Sequence, residues 1–317
     1  MTSQTARKLS ISLLIFVCVF AGCFDRDTAL VIEQEVLKVQ DTSFRLAAWN
    51  IRIFSDGSRN NDELHHIAKV LINYDFIAIV ELRDEAVLMR TEAVLAGMGR
   101  DYDYLMSPAV GAKVKERYAF LFDSQIVRVI EGGEVFPDPK DVFLREPYFA
   151  TFKAGEFDFT AITVHVIWGD TVNQRRREVQ ELANVYQAVQ AADDAEQDVI
   201  LLGDFNRNPD DQSAYGPLLS IPSMEHLFQL PQKSHIKDTS LYDNIFFQTN
   251  HVIEYTGASG IERFDETHFG NDDAAASLAV SDHRPVWGIF RIDTDDDGLD
   301  LLGPAAAPSI RQHWRLK

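Results

Sequence analysis

The sequence predicts a mixed α/β domain rich in strands, and two observations carry that reading. Short apolar runs dominated by β-branched and aromatic residues recur along the chain, and between several of them apolar residues return at three- and four-residue intervals. A third observation bounds the domain. The 317 residues are 46% hydrophobic, enough for one large core, and no Pro/Gly/Ser-rich linker, internal repeat or low-complexity run interrupts 44–290.

Taken in order, residues 1–23 set Arg7 and Lys8 ahead of an apolar run over 11–20 and end in Ala21 and Gly22 before Cys23. This reads as an export signal, too short to span a bilayer comfortably. Its Phe20-Ala21-Gly22-Cys23 ending resembles a bacterial lipoprotein signal, in which Cys23 becomes the lipid-modified first residue of a membrane-anchored chain; plain cleavage to a secreted or periplasmic form is the alternative. Cys18 and Cys23 are the only cysteines, so the processed chain has no internal disulfide and relies on packing. Residues 24–43 follow as a polar tether.

Strands are expected at 44–51, 76–81, 118–122, 159–166, 199–205, 244–247 and 286–289, several apolar on both faces as buried strands are. Helical periodicity is clearest at 63–73, 85–95 and 175–190. The domain is expected to close at 291. Beyond it Asp293, Asp295, Asp297, Gly298 and Asp300 alternate like the start of a calcium loop, but the twelfth position falls on Pro304 rather than Glu. Residues 292–317 therefore read as an acidic, then Ala/Pro-containing tail, with weak Ca²⁺ binding as the sharper alternative.

The charge narrows the function. With 30 Lys and Arg against 49 Asp and Glu, the net charge is −19, the wrong sign for a protein that grips nucleic acid by neutralising phosphates over a broad surface. Any such contact must be local and helped by cations.

Polar residues gather where the apolar runs end, which is where side chains converge on the rim of a sheet. Asn50 and Glu81 end the first two runs and His165 sits near the end of another; Asp204 and Asn206 follow Leu201-Leu202-Gly203, Asp243 precedes Ile245, and Asp282-His283 precede Val286. Glu81, Asn50, Asp204 and Asp282 offer hard oxygen ligands suited to Mg²⁺ or Mn²⁺. His165 and His283 suit proton transfer near neutral pH. Phosphodiester hydrolysis needs both sets. Taken singly, Asn50 and Asp204 would serve equally as turn caps.

The strings Trp49-Asn50-Ile51-Arg52, Val80-Glu81-Leu82-Arg83-Asp84, Lys115-Glu116-Arg117-Tyr118, Arg145-Glu146-Pro147, Gly203-Asp204-Phe205-Asn206, Tyr242-Asp243 and Ser281-Asp282-His283 resemble, in order, the deoxyribonuclease I branch of the endonuclease/exonuclease/phosphatase superfamily. The resemblance implies a four-layer sandwich, two packed mixed β-sheets flanked by helices, in a monomer that cuts DNA to 5′-phosphate and 3′-hydroxyl ends. It implies Glu81 as the principal Mg²⁺ ligand with Asn50 nearby, His283 oriented by Asp243 as general base, and His165 paired with Glu116 as general acid or phosphate donor. Asp204, Asn206 and Asp282 would hold the metal and scissile phosphate, and Arg52, Arg83 and Arg145 would lie along the nucleic-acid groove. The acid and base labels are exchangeable on sequence alone. Val114 stands where deoxyribonuclease I has a tyrosine packed against DNA, so that contact is lost.

The run Arg175-Arg176-Arg177 fits a phosphate clamp near His165 and a charged helix start equally well, while His65, His66 and His235 read as surface residues. Two other functions fit the same residues: a sphingomyelinase-like or phosphoinositide-directed phosphodiesterase or phosphatase, and a surface binding module without turnover.

Overall fold

Strict side-chain alternation in the central strands gives them two apolar faces, and the chain buries both. The computed structural model describes residues 42–193 and 195–296. Two compact units divide the chain, Met1–Ser43 and Phe44–Lys317, and the elements described here belong to the second, apart from the first residue of β1. One six-stranded sheet contains β1 (Ser43–Phe54), β2 (Phe76–Leu82), β3 (Tyr102–Met106), β4 (Arg117–Asp123), β11 (Tyr255–Ile261) and β12 (Val286–Arg291), in the order β11-β12-β1-β2-β4-β3. The other contains β5 (Val127–Val135), β6 (Tyr148–Ala154), β7 (Phe157–His165), β8 (Val199–Asp204), β9 (Met224–His226) and β10 (Asp243–Gln248), in the order β5-β6-β7-β8-β10-β9. Both sheets are mixed, with parallel pairs β1–β2 and β7–β8 at their centres.

Every second residue of the central strands enters the core between the sheets. Phe44, Leu46 and Ala48 of β1, Phe76, Ala78 and Val80 of β2, Phe157, Phe159 and Ala161 of β7, and Ile200 and Leu202 of β8 all meet there. Phe152 is its hub, with ring centroids 4.8 Å from Phe76 and 5.2 Å from Phe120, both edge-on. The intervening residues face helices. Ala47, Trp49, Ile77 and Ile79 pack with α1 (Asn61–Leu71) and α2 (Glu85–Gly97), whereas Ile162, Val164, Val199 and Leu201 pack with α3 (Val172–Gln190) and α4 (Gln212–Leu219). The result is the expected four-layer sandwich. Two short helices, α5 (Phe264–Thr267) and α6 (Asp273–Ala279), precede β12.

Reciprocal capping boxes start α1 and α3: Asn60 with Glu63, and Thr171 with Gln174. Each such cap contributes about 1 kcal/mol.

All seven strands and three helices expected from the sequence are present. The sequence reading lacks β3, β5, β6, β9 and β11 and helices α4 to α6. The edge strand β5 (VRVIEGGEV) interrupts its apolar start with Glu131-Gly132-Gly133-Glu134 and β11 (YTGASGI) is nearly devoid of large apolar residues, so neither carries a sustained hydrophobic signal. Helix α4 holds Gly216 and Pro217, which lower its propensity. The export signal at 1–23 with Cys23, the tether to residue 41, and most of the tail, including Asp297, Gly298 and Asp300, lie outside the described residues.

Candidate active site

Strand register builds the first half of the site. His165 of β7 pairs with Asp204 of β8, and Asp204 pairs with Asp243 of β10, so three polar residues far apart in sequence share one row across the sheet. Gly203 makes that row possible: its φ is +141°, and a Cβ there would meet the Val164 carbonyl oxygen at 2.1 Å. Asn206 follows at φ +49°, where its amide N–H donates to Asp204 Oδ1 (2.8 Å) and its side chain donates to the Val166 carbonyl (2.7 Å).

The facing sheet supplies the second half through a distortion. The β1–β2 register shifts between Asn50 and Phe54, and Glu81 and Ile53 both adopt positive φ, 62° and 47°. Such strain in non-glycine residues persists where the surroundings enforce it, as beside functional sites. Here it turns Glu81 inward, with Oε2 accepting from Ile53 N (3.0 Å) and Oε1 from Asn50 Nδ2 (3.2 Å). The same Asn50 amide reaches Asp204 Oδ2 (3.0 Å), joining the two sheets through one buried side chain.

His283 arrives on the loop before β12, which is tied down from three sides. Ser281 Oγ donates to the Asn50 carbonyl (2.6 Å) and accepts from His283 N (3.1 Å), while Trp49 Nε1 donates to the His283 carbonyl (2.7 Å). Next along the chain, the buried Arg284 donates to both Asp265 carboxylate oxygens, at 2.7 and 2.5 Å.

Two histidine–carboxylate pairs therefore converge on Asp204. His165 Nδ1 lies 2.8 Å from Glu116 Oε2, and His283 Nδ1 lies 2.8 Å from Asp243 Oδ2. Asp204 Oδ2 is 3.8 Å from His165 Nε2 and 3.8 Å from His283 Nδ1. Burial opposes the charge on Glu116, but the hydrogen bond to His165 and the guanidinium groups of Arg145 and Arg83 hold its carboxyl down at about 2. Burial likewise opposes ionisation of Asp204, yet both histidines and Asn50 keep it below the usual carboxylate range. Asp243 goes the other way, raised by burial and by the neighbouring Asp204 charge. Burial disfavours the His283 cation, but Asp243, Asp204 and Asp282 together raise its pKa.

Apart from the fully buried Asp243, these residues line a cavity of about 680 Å³, whose wall includes Asp282 together with Glu81, Asn50 and Asp204. Their donors are all oxygens, and Asn50 Oδ1 is a buried acceptor with no hydrogen-bond partner. Hard ligands with an unsatisfied buried acceptor fit a divalent cation such as Mg²⁺. Among the described residues, Asp204, Asp243 and His283 bring candidate ligand atoms within 4.8 Å of one another, but His283 Nδ1 is already engaged by Asp243. At the opposite end of β8, Asp198, Glu254 and Asp295 form a second close acidic group, to which the segment resembling a calcium loop contributes Asp295.

Arg52, Arg83 and Arg145 all border the cavity. Arg145 is turned inward, donating to the His165 and Val166 carbonyls (3.0 and 3.2 Å) and to Glu116 (3.4 Å). Arg83 lies 3.4 Å from Glu116 and 3.8 Å from Glu81, and Arg52 donates to the Ser277 carbonyl (3.2 Å). The arginine run at 175–177 divides: Arg175 stacks over Trp168, Arg176 pairs with Asp211 at 2.8 Å, and Arg177 borders an adjoining cavity. Val114 is exposed.

The reading of His235 as a surface residue needs correction. It is half-buried in the cavity wall, bridged to His283 through the backbone, with its ring 5.7 Å from the His283 ring. Ser281, Trp49, Tyr242 and Trp168 are also part of the surroundings that sequence reasoning did not single out as site residues. No motif marked Trp168, although an aromatic residue in a polar turn was a signal in itself.

Comparison with known proteins agrees with this geometry. The chain is 29% identical over 266 residues to a deoxyribonuclease of Thioalkalivibrio sp. (strain K90mix), covering 80% of this chain and 73% of the relative. It is 29% identical over 263 residues to deoxyribonuclease-1 of Equus caballus, covering 77% and 91%. Among solved structures, an endonuclease/exonuclease/phosphatase from Bacteroides vulgatus superposes with a TM-score of 0.54 at 16% identity, over 78% of this chain and 98% of that one. Truncated TDP2 of Caenorhabditis elegans gives 0.56 at 14% identity, over 78% and 97%. A model of the Endonuclease/Exonuclease/phosphatase family matches residues 47–283, three quarters of the sequence and every residue of the site, and the chain belongs to that family.

Proposed function

We propose that this chain is a divalent-metal-dependent endonuclease that hydrolyses DNA phosphodiester bonds, leaving 5′-phosphate and 3′-hydroxyl ends. The observation that carries this reading is the convergence of two carboxylate-held imidazoles on Asp204, opposite Glu81 and Asn50. A binding module has no need of that arrangement, whereas in-line displacement at phosphorus needs a proton acceptor on one side and a donor on the other. The deoxyribonuclease relatives support DNA as the substrate.

Glu81, Asn50, Asp204 and Asp282 would hold the cation, which when bound supplies positive charge to a phosphoryl oxygen. The protein's own groups handle the protons. His283, fixed by Asp243 and by the ties around Ser281, takes a proton from the attacking water as its oxygen bonds to phosphorus; this needs the neutral imidazole, which a cation held at Asp204 and Asp282 would favour by offsetting the carboxylates that otherwise raise its pKa. His165, fixed by Glu116, donates a hydrogen bond to the phosphoryl group or protonates the 3′ oxygen as the P–O3′ bond breaks. Arg83 and Arg52 line the path of the flanking phosphates. The catalytic domain spans 44–291, acting as a monomer exported from a bacterial cell and carried outside the cytoplasm by the signal at 1–23, with Cys23 as its lipid anchor.

Product ends test the proposal. Nicks made in Mg²⁺ should reseal with DNA ligase and no prior phosphatase or kinase treatment. Nicks that resist ligation until their ends are exchanged would contradict the assigned polarity, and cleavage of sphingomyelin or phosphoinositides in place of DNA would overturn the substrate.

A further inference from the structure

Trp168 is 58% exposed, and among the described residues no other aromatic side chain is as open. It stands on the wall of the catalytic cavity, three residues after His165, and its neighbour in space is Tyr242, whose ring centroid lies 5.9 Å away at 59°. Tyr242 directly precedes Asp243, and both rings share the cavity lining with His165 and His283. An exposed tryptophan contributes little to the core and is costly to leave in water.

The ring is nevertheless held in place. The Arg175 guanidinium lies over it, 4.6 Å from the centroid, and Arg175 Nη1 donates to the Trp168 carbonyl (2.7 Å). On one side, Ile167 N donates to Glu178 Oε2 (2.8 Å). On the other, Gln174 Oε1 accepts from Asp170 N and Thr171 N, both at 2.9 Å. Gly169, at φ +58°, makes the turn between them. A mobile surface residue does not need this bracing; a preorganised contact does.

We infer that Trp168, backed by Arg175, is a stacking platform for a nucleobase flanking the scissile phosphate, an inference that rests on the nuclease reading above. Every base presents a π-face, so the contact is tolerant of sequence and favours a base that is unpaired or displaced from its stack. The chain's excess of negative charge leaves little long-range attraction for DNA, and a ring plus one fixed cation provides a local hold in its place. The surrounding Asp170, Thr171 and Arg175 are polar, which suits a nucleotide better than a lipid tail.

The test uses the full chain and its Trp168→Ala and Trp168→Phe forms on a single-stranded oligonucleotide, with kcat and KM separated. Trp168→Ala is expected to raise KM roughly ten-fold with kcat within about two-fold, and Trp168→Phe to recover part of that loss. In parallel, tryptophan emission is titrated with oligothymidylate in the His283→Ala background, which removes turnover without touching the ring. Quenching that disappears in Trp168→Phe supports the platform. An unchanged KM with no Trp168-dependent quenching overturns it while leaving cleavage, and hence the nuclease reading, intact. Quenching without any cleavage by the wild type sinks the nuclease reading and, with it, the place of the platform beside a scissile phosphate. A blue shift with phosphatidylglycerol vesicles, and no response to oligonucleotide, would overturn the platform in favour of a membrane contact.

Discussion

The two histidines share a hydrogen-bond length but not an electrostatic setting. The carboxylate behind His165, Glu116, is flanked by Arg145 and Arg83, so its charge is answered twice before the imidazole is considered. The carboxylate behind His283, Asp243, is fully buried beside a second carboxylate, Asp204. One pair is part of a charge-balanced brace; the other concentrates negative charge on a single imidazole. Geometry alone would call them equivalent, and the difference lies in what surrounds the carboxylates.

That contrast can be broken from either side. The largest effect is expected on removing an imidazole: His283→Ala and His165→Ala should each lower kcat by about 10³-fold or more, measured under metal saturation. Next come the partners. Asp243→Asn should cost roughly 10²-fold in kcat, because no arginine replaces its charge, and Glu116→Gln should cost roughly ten-fold. Equal losses would erase the distinction drawn here.

Stability should rank the two in the opposite order. Glu116→Gln leaves the buried Arg145 short of a counter-charge, a loss of about 2–3 kcal/mol in unfolding free energy, measurable by urea denaturation. The pH dependence has a definite sign. The Glu116 carboxyl is depressed in the folded state, from 4.5 to about 2, so its contribution is present above 4.5 and is lost as pH falls towards 2. In Glu116→Gln the slope of stability against pH across that window should be shallower than in the wild type. A matching slope would mean that His165 and the two arginines do not hold this carboxyl below its ordinary range. The smallest effect is expected for Arg83→Ala, which leaves Arg145 in place and should cost less stability than Arg145→Ala, since Arg145 alone also holds the His165 and Val166 carbonyls.

Much of this was legible in the sequence. The central strands announced themselves because they are apolar on both faces, and Asn50, Glu81, His165, Asp204, Asp243 and His283 were conspicuous as polar residues ending such runs. What stayed hidden depended on distance or on backbone shape. Nothing local in Glu81 foretells its positive φ, which the paired distortion with Ile53 imposes. The motif marks Arg145 as a groove residue, whereas its three inward hydrogen bonds go to the His165 and Val166 carbonyls, twenty and twenty-one residues on, and to Glu116. Edge strands such as β11 carry Gly and Ser in place of apolar residues, and their pairing comes from the neighbour strand. His235 lacks any motif, and the bridge to His283 that brings it to the site joins residues far apart in sequence.

The central claim is that the carboxylate-held histidines and the oxygen ligands opposite them form one phosphodiester-cleaving centre. Its most direct test is the nicking of supercoiled plasmid by the purified chain, with Mg²⁺ or with chelator, beside His283→Ala. Relaxation of the plasmid that requires the cation and is abolished in the variant is expected. A folded, metal-supplied wild type that leaves the plasmid supercoiled, or a His283→Ala form that nicks at the wild-type rate, would contradict it.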